Sequence, residues 1–285
     1  MASLSVSRFS HQAMASPWQL FVASEDEAGA AWAARRAFRE VDLLENELSR
    51  FRSDSDVGRI NGLPAGGRTR VGPGAMDCLM LARDVHEATG GAFDVALGAL
   101  HDCWSRARAE GGRPARAEWR AARACSGMEQ LEIDVEGLSV GVQVDGVVVD
   151  FGGVGKGYAA DQAAISIKAW EEMDNFLINA GESTVLAVGS GPDGRGWPVS
   201  VGDAAEPLML RDEALSGSGL AVRGAHIIDP RTGKPAVRRK QCWVRAELAS
   251  VADAFSTAFL ILNDQEVAAV CERHKEIAFV TSAGK

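Results

Sequence analysis

Three stretches of this sequence carry residue types and spacings that could do chemistry. In the first, Val147-Val148-Val149-Asp150 runs into Phe151-Gly152-Gly153-Val154-Gly155-Lys156-Gly157-Tyr158-Ala159-Ala160-Asp161. Glycines let a backbone come close to a ligand, and a helix start offers unpaired N–H groups and a positive dipole end. With Lys156 the segment suits a phosphate or pyrophosphate. It is not a Walker loop: Gly152 and Gly155 stand too close, and Gly157 follows Lys156 where Ser or Thr belongs. A tight strand-to-helix turn with a solvated lysine explains the same residues. A true GxGxxG at Gly189 to Gly194 contains Pro192 and Asp193 and has no helix after it, which argues against a nucleotide role.

The second stretch is Ser250-Val251-Ala252-Asp253-Ala254-Phe255-Ser256-Thr257-Ala258. Asp253 and Thr257 are four apart and therefore neighbours on one helix face. A carboxylate and a hydroxyl one turn apart can share a hard cation, and Mg²⁺ prefers oxygen ligands. Taken alone, a Thr bonded back to its own helix and an Asp on a solvated face explain the pair better. The third stretch, His226-Ile227-Ile228-Asp229-Pro230-Arg231-Thr232-Gly233-Lys234-Pro235, is a strongly punctuated turn. A lone His is more often structural than catalytic, but His226 alone among the five histidines adjoins such a turn. His11, His86, His101 and His274 read as surface or packing residues.

These stretches need elements to hold them. Trp18 to Ala23 reads as a first strand, and Ala28 to Leu48 has the apolar spacing of a long amphipathic helix. Ser53 to Gly67 is rich in Ser, Asp and Gly and reads as a loop. Helices follow over Pro73 to Ala88, Val95 to Arg108 and Ala115 to Ala124. From Leu131 the pattern turns to strands: 131–133, 139–144, 147–151, 176–179, 184–188, 198–201, 227–228, 241–247 and 277–281. Helices over 153–170, 251–262 and 265–273 interrupt them. A helix-rich part (1–128) before a strand-rich part (129–285), with no firm linker between, predicts an α+β fold rather than regular βαβ alternation.

The chain has 285 residues, near the upper end of what one core serves. Its 46% apolar and 24% charged residues exclude a disordered or fibrous chain. Thirty Lys and Arg against 39 Asp and Glu leave a formal charge of -9, which argues against nucleic-acid binding. Five scattered cysteines show no zinc spacing and no disulfide framework, so reduced thiols are expected. No stretch is long and apolar enough for a membrane span, and the N-terminus lacks the apolar region of a secretory signal.

FGGVGKGYAAD (151–161), LINAGES (177–183), HIIDPRTGKP (226–235) and SVADAFSTA (250–258), in that order, resemble signature blocks of the ApbE-type FAD:protein FMN transferases. Ala13-Met14-Ala15-Ser16, Leu48-Ser49-Arg50-Phe51 and Thr89-Gly90-Gly91-Ala92-Phe93-Asp94 resemble further blocks, so the likeness runs from about Phe9 to Val280. The chain departs from the pattern in places. Val95-Ala96 stands where the family usually has Pro-Thr, and Glu182-Ser183 where it has Gly-Asp. Gly217-Ser218-Gly219 replaces the usual Thr-Ser-Gly block.

The resemblance implies an α+β unit with a mixed or antiparallel sheet and flanking helices. It implies FAD as substrate, Mg²⁺ as cofactor, and transfer of FMN to a Thr or Ser hydroxyl of an acceptor protein, with AMP leaving. Asp253, Thr257 and the backbone carbonyl of Gly153 would then bind Mg²⁺. Met14, Phe51, Ala92, Phe93, Asp94, Asp150, Lys156 and Ile228 would line the FAD site, and His226 takes the position the family ties to catalysis. The same residues also fit an FAD pyrophosphatase giving FMN and AMP, or a flavin-binding protein without catalysis; an Asp253–Thr257 pair exceeds what binding alone needs. The family's common lipoprotein leader is not visible, so a cytoplasmic location is expected.

Overall fold

The computed structural model describes residues 4–169, 173–181, 183–202, 204–219, 227–236 and 238–280. The chain opens with a hairpin, β1 (Val6–Ala13) and β2 (Ser16–Ala23), in front of and including the predicted first strand. Its two-residue turn places Met14 at φ 50° and Ala15 at φ 54°. Such hairpins need both central residues at positive φ, usually Gly or Asn. Here the flanking strands impose that conformation on two ordinary side chains.

Helix α1 (Glu27–Leu48) is the predicted amphipathic helix: Asp26 caps it by accepting from Gly29, and Ala30, Ala33, Ala34, Ala37, Val41, Leu44 and Leu48 form its buried stripe. The predicted loop 53–67 contains a short helix, α2 (Asp56–Asn61). Ser55 Oγ accepts from Gly58 N–H at 2.8 Å, and Val57 and Ile60 are fully buried. After β3 (Arg68–Arg70) come α3 (Pro73–Ala88), α4 (Gly98–Ala109) and α5 (Arg116–Ala124). Helix α4 starts three residues later than expected, because Asp94 takes the Ala96 N–H and Gly98 donates to Val148.

Strands β4 (Leu131–Asp134) and β5 (Ser139–Val142) join β3 in a small antiparallel sheet of order β3-β5-β4. The apolar run 147–151 is not a strand. It is irregular chain whose Val149 bonds through both backbone groups to the Asn61 side chain, at 2.7 and 3.0 Å. It leads into α6 (Gly155–Lys168).

Then follow β6 (Phe176–Ala180), β7 (Thr184–Val188), β8 (Trp197–Val199), β9 (Leu208–Leu210) and β10 (Glu213–Gly219). The two-stranded hairpin β11 (Ile228–Asp229) and β12 (Lys234–Pro235) precedes β13 (Gln241–Ala246), α7 (Ala249–Ile261), α8 (Asp264–Arg273) and β14 (Ile277–Val280).

The main sheet has the order β1-β2-β6-β7-β10-β13-β14, and every neighbouring pair is antiparallel. The pairing of β2 with β6 ties the first residues of the chain to its strand-rich part. One face carries α1, α6 and α7 over the large core, in which Trp18, Leu20, Phe176 and Phe259 are fully buried. The other face holds a smaller cluster of Trp197, Leu210, Leu215, Val201 and Leu177 under β8 and β9. Helix α7 lies between sheet and α6 and is buried almost all round. Asp253 is therefore not on a solvated face. Among the described residues no helix is long and apolar enough to cross a membrane.

Candidate active site

The crossing of α6 over α7 sets the centre of the site. A Cβ on Gly157 would stand 2.3 Å from the Ala249 carbonyl oxygen and 2.6 Å from Ser250 Cα, so only glycine permits this approach. One turn further along α6, Asp161 caps α7. It accepts from Ala249 N–H at 2.8 Å, Ser250 N–H at 2.9 Å and Ser250 Oγ at 2.6 Å. Burial raises its carboxyl above the usual range, against the pull of those three bonds. In the sequence only its place, four residues beyond Gly157 on the same helix, points to Asp161.

Asp253 lies one turn into α7 and is 4% exposed. Gly157 N–H donates to its Oδ2 at 3.1 Å, and Ser216 Oγ to its Oδ1 at 3.2 Å. Ser216 also shares a 2.8 Å bond with Thr184. Thr257 Oγ1 bonds back to the Asp253 carbonyl at 3.3 Å, as a helical Thr does, and lies 3.3 Å from Ser218 Oγ. Ser218 lies 2.8 Å from Ser256 Oγ. The Cβ position of Gly153 is 3.1 Å from Thr257 Oγ1 and 3.2 Å from the Phe93 ring. Ser183 Oγ is buried with no hydrogen-bond partner among the described residues. Ser216 and Ser218 carry no signal in the sequence, because β10 reads as a Gly- and Ser-rich segment rather than a strand, and Thr184 gains its place only through the pairing of β7 with β10.

Lys156 stands in the first turn of α6. Gly181, at φ 68°, presses against it: a Cβ there would lie 3.1 Å from Lys156 Cδ and 2.8 Å from Ser16 Cβ. The β1–β2 hairpin end, next to Met14, thus borders the lysine.

On the other side of the glycine turn, Asp150 Oδ1 accepts from Gly152 N–H at 2.8 Å and its Oδ2 from Arg50 at 2.9 Å. Ala92 and Phe93 are buried. The Asp94 side chain is 2% exposed, with its oxygens on Ala96 N–H at 2.8 Å and Met128 N–H at 3.0 Å. Burial raises its carboxyl too, and these bonds oppose the shift. Asp94 thus fixes the 92–97 loop. Phe51 is 86% exposed.

Ile228 is buried at the base of the β11–β12 hairpin, and the Arg231 side chain lies 3.8 Å from the Cβ position of Gly91. The structure therefore brings Phe93, Gly153, Asp253 and Thr257 together and sets Lys156 beside them, with Asp150 on the same turn. His226 lies outside the described residues.

Residues 14–281 match the ApbE family. The chain belongs to the ApbE family. The FAD:protein FMN transferase of Vibrio cholerae serotype O1 is 27% identical over 256 residues, spanning 83% of this chain and 75% of that protein. The FAD:protein FMN transferase of Klebsiella pneumoniae is 25% identical, spanning 87% and 76%. The apo flavinyl transferase ApbE of Pseudomonas stutzeri superposes with a TM-score of 0.85 at 26% identity, covering 99% of this chain and 94% of that one. The ApbE protein of Thermotoga maritima gives 0.84, also at 26% identity. The antiparallel sheet with helices on its face is thus the ApbE fold.

The ApbE-like centre suits a hard cation on its chemistry. Its donors are all oxygens: one carboxylate, the hydroxyls of Thr257 and Ser218, and the nearby Gly153 peptide. The hydrogen bonds to Asp253 are long and leave lone pairs on both carboxylate oxygens. Among the described residues no group of three His, Cys, Asp or Glu gathers, so substrate phosphates would have to complete the coordination.

Proposed function

We propose that this chain transfers the FMN part of FAD to a Thr or Ser hydroxyl of an acceptor protein, releasing AMP, with Mg²⁺ as cofactor. The observation that carries the reading is the meeting of Asp253, Thr257 and Gly153 at a glycine-opened helix start beside Lys156. Asp253, Thr257 and the Gly153 carbonyl would hold Mg²⁺, whose part when bound is to neutralise charge on the transferring phosphate. Lys156 favours the pyrophosphate by its charge and the α6 start by its dipole, while the Gly155 and Gly157 amides are already taken by the Phe151 carbonyl and Asp253. Met14, Phe51, Ala92, Phe93, Asp94, Asp150 and Ile228 are assigned to the FAD surface, Asp94 through the loop it holds.

In the reaction the acceptor oxygen forms a bond to the FMN phosphorus, and the bond from that phosphorus to the bridging oxygen breaks. AMP carries away the bridging oxygen and its electron pair. The hydroxyl proton passes to a base, for which the resemblance points to His226. Incubation with FAD and Mg²⁺, with and without an acceptor protein, tests this. AMP formed in step with FMN-labelled acceptor is the expected result. AMP and free FMN without acceptor would mean hydrolysis instead, and no AMP in either case would leave only a flavin-binding protein.

A further inference from the structure

Arg50 sits in the loop after α1 and reaches two carboxylates at once. Its Nη1 donates to Asp150 Oδ2 at 2.9 Å and its Nη2 to Asp102 Oδ1 at 2.6 Å. The Arg50 side chain is 13% exposed, whereas those of Asp102 and Asp150 are 42% and 34% exposed. Burial works against its charge, and the two carboxylates more than offset that, so the guanidinium is held firmly protonated. Asp150 is itself pinned at three points: Arg50 on Oδ2, Gly152 N–H on Oδ1, and its own N–H on the Val95 carbonyl at 2.8 Å. The Phe51 ring centroid lies 5.1 Å from the guanidinium carbon. Arg50 thus ties the 49–52 loop to α4 and to the 150–153 turn, and the Asp150 backbone ties that turn to the 92–97 loop.

We propose that Arg50 is a positioning residue for FAD: its forked bridge sets the Asp150 carboxylate, through it the Gly152–Gly153 turn, and carries the exposed Phe51 ring. This rests on the reading that the chain binds FAD. The planar guanidinium spans two carboxylates in a fixed geometry that a lysine ammonium cannot copy. The bridge also has an electrostatic side. With Arg50 the trio carries one net negative charge; without it two carboxylates stand unneutralised beside the approach of an anionic pyrophosphate.

The test is FAD titration by flavin fluorescence, together with hydrogen exchange of the 150–154 backbone, in the full chain. Arg50→Met should weaken FAD binding about tenfold or more, and Arg50→Lys, which keeps the charge but loses the fork, about threefold to fivefold. Asp102→Asn should cost about twofold, whereas added to Arg50→Met it should cost nothing further and recover part of the loss, because the bridge is already gone and one of the two unneutralised carboxylates is removed. Exchange at 150–154 should rise in both Arg50 variants. A purely structural role would lower the melting temperature and leave affinity within about twofold of the parent, which overturns the proposal. Affinity lost with unchanged exchange also overturns it, since Arg50 would then act on FAD itself. Should the parent fail to bind FAD, the proposed function falls by itself. Exchange in Arg50→Lys would then still decide the positioning claim, and an unchanged rate would sink it.

Discussion

Where α6 crosses α7, backbone meets backbone; where the β11–β12 hairpin meets α4 and α5, side-chain N–H groups reach across. At the crossing Gly157 lies against Ala249 and Ser250, and Asp161 and Asp253 accept the amides between the helices. At the hairpin, Trp104 of α4 and Trp119 of α5 both donate to the Gly233 carbonyl, at 2.9 and 2.8 Å, and Arg123 donates to the Pro230 carbonyl. Helix α5 has no buried residue, so core packing does not explain its place. The first region is built to hold a charged centre without movement. The second holds the Ile228 hairpin, assigned above to the FAD surface, by a few polar contacts that substitution can remove without touching the core.

The largest effect should come from Asp253, the one full negative charge assigned to the cation. Asp253→Asn keeps the size and an acceptor oxygen but removes the charge. Loss of a metal's Lewis-acid contribution, several kcal/mol, predicts a fall in FMN transfer of about a hundredfold to a thousandfold. Asp253→Ala is the poorer variant, because it strips partners from the Gly157 N–H and the Ser216 hydroxyl and should cost about 1–3 kcal/mol of stability. Transfer by Asp253→Asn within about threefold of the parent at limiting Mg²⁺ would remove the metal role.

Gly157→Ala should act on the same region through packing. Its Cβ meets backbone rather than a flexible side chain, so α6 must lift from α7 at a cost of about 3 kcal/mol. A thermal melt measures this, and a variant as stable as the parent would show that the crossing is looser than its geometry.

This crossing was half legible in the sequence. The glycine run, Lys156, and the Asp253–Thr257 spacing stand out because helix periodicity and local motifs announce them. The burial of Asp253 did not, since it depends on α7 being covered on every side by elements distant in the chain. Strand β10, Glu-Ala-Leu-Ser-Gly-Ser-Gly, does not read as a strand for a related reason: Ser216 and Ser218 break apolar alternation in order to face Asp253 and Thr257. The run 147–151 misleads the other way, as an apolar stretch that is not a strand. Its apolar residues are core residues, but Asn61 replaces the neighbouring strand, and no pattern within 147–151 encodes a partner 88 positions away. The supports of the hairpin were least legible, because Trp104, Trp119 and Arg123 act through single long-range contacts that leave no periodicity.

Phe51→Ala separates affinity from stability. The ring is 86% exposed and should contribute less than about 0.5 kcal/mol to folding. Stacking of an aromatic side chain on a base is worth about 1–3 kcal/mol, so FAD affinity should fall about tenfold. Fluorescence titration and a melt on the same sample measure the two quantities, and an unchanged affinity would remove Phe51 from the FAD surface.

The smallest effect is expected at the hairpin, and it tests whether that wall is as soft as its contacts imply. Trp104→Phe and Trp119→Phe keep the aromatic bulk and remove one N–H each. A single hydrogen bond is worth about 0.5–1.5 kcal/mol net, and the second indole still serves the Gly233 carbonyl, so either variant alone should change FAD affinity by about twofold or less. With both removed, the carbonyl has lost both indole donors and the hairpin stays tied to α5 by Arg123. The double variant should then weaken FAD binding by more than the product of the singles, about fivefold, through displacement of Ile228. Mg²⁺ dependence should not move, because Asp253 and Thr257 lie on the other support. Singles that multiply to the double would mean the two indoles are independent. A shifted Mg²⁺ requirement would mean the two regions are mechanically one, and the contrast between them would be lost.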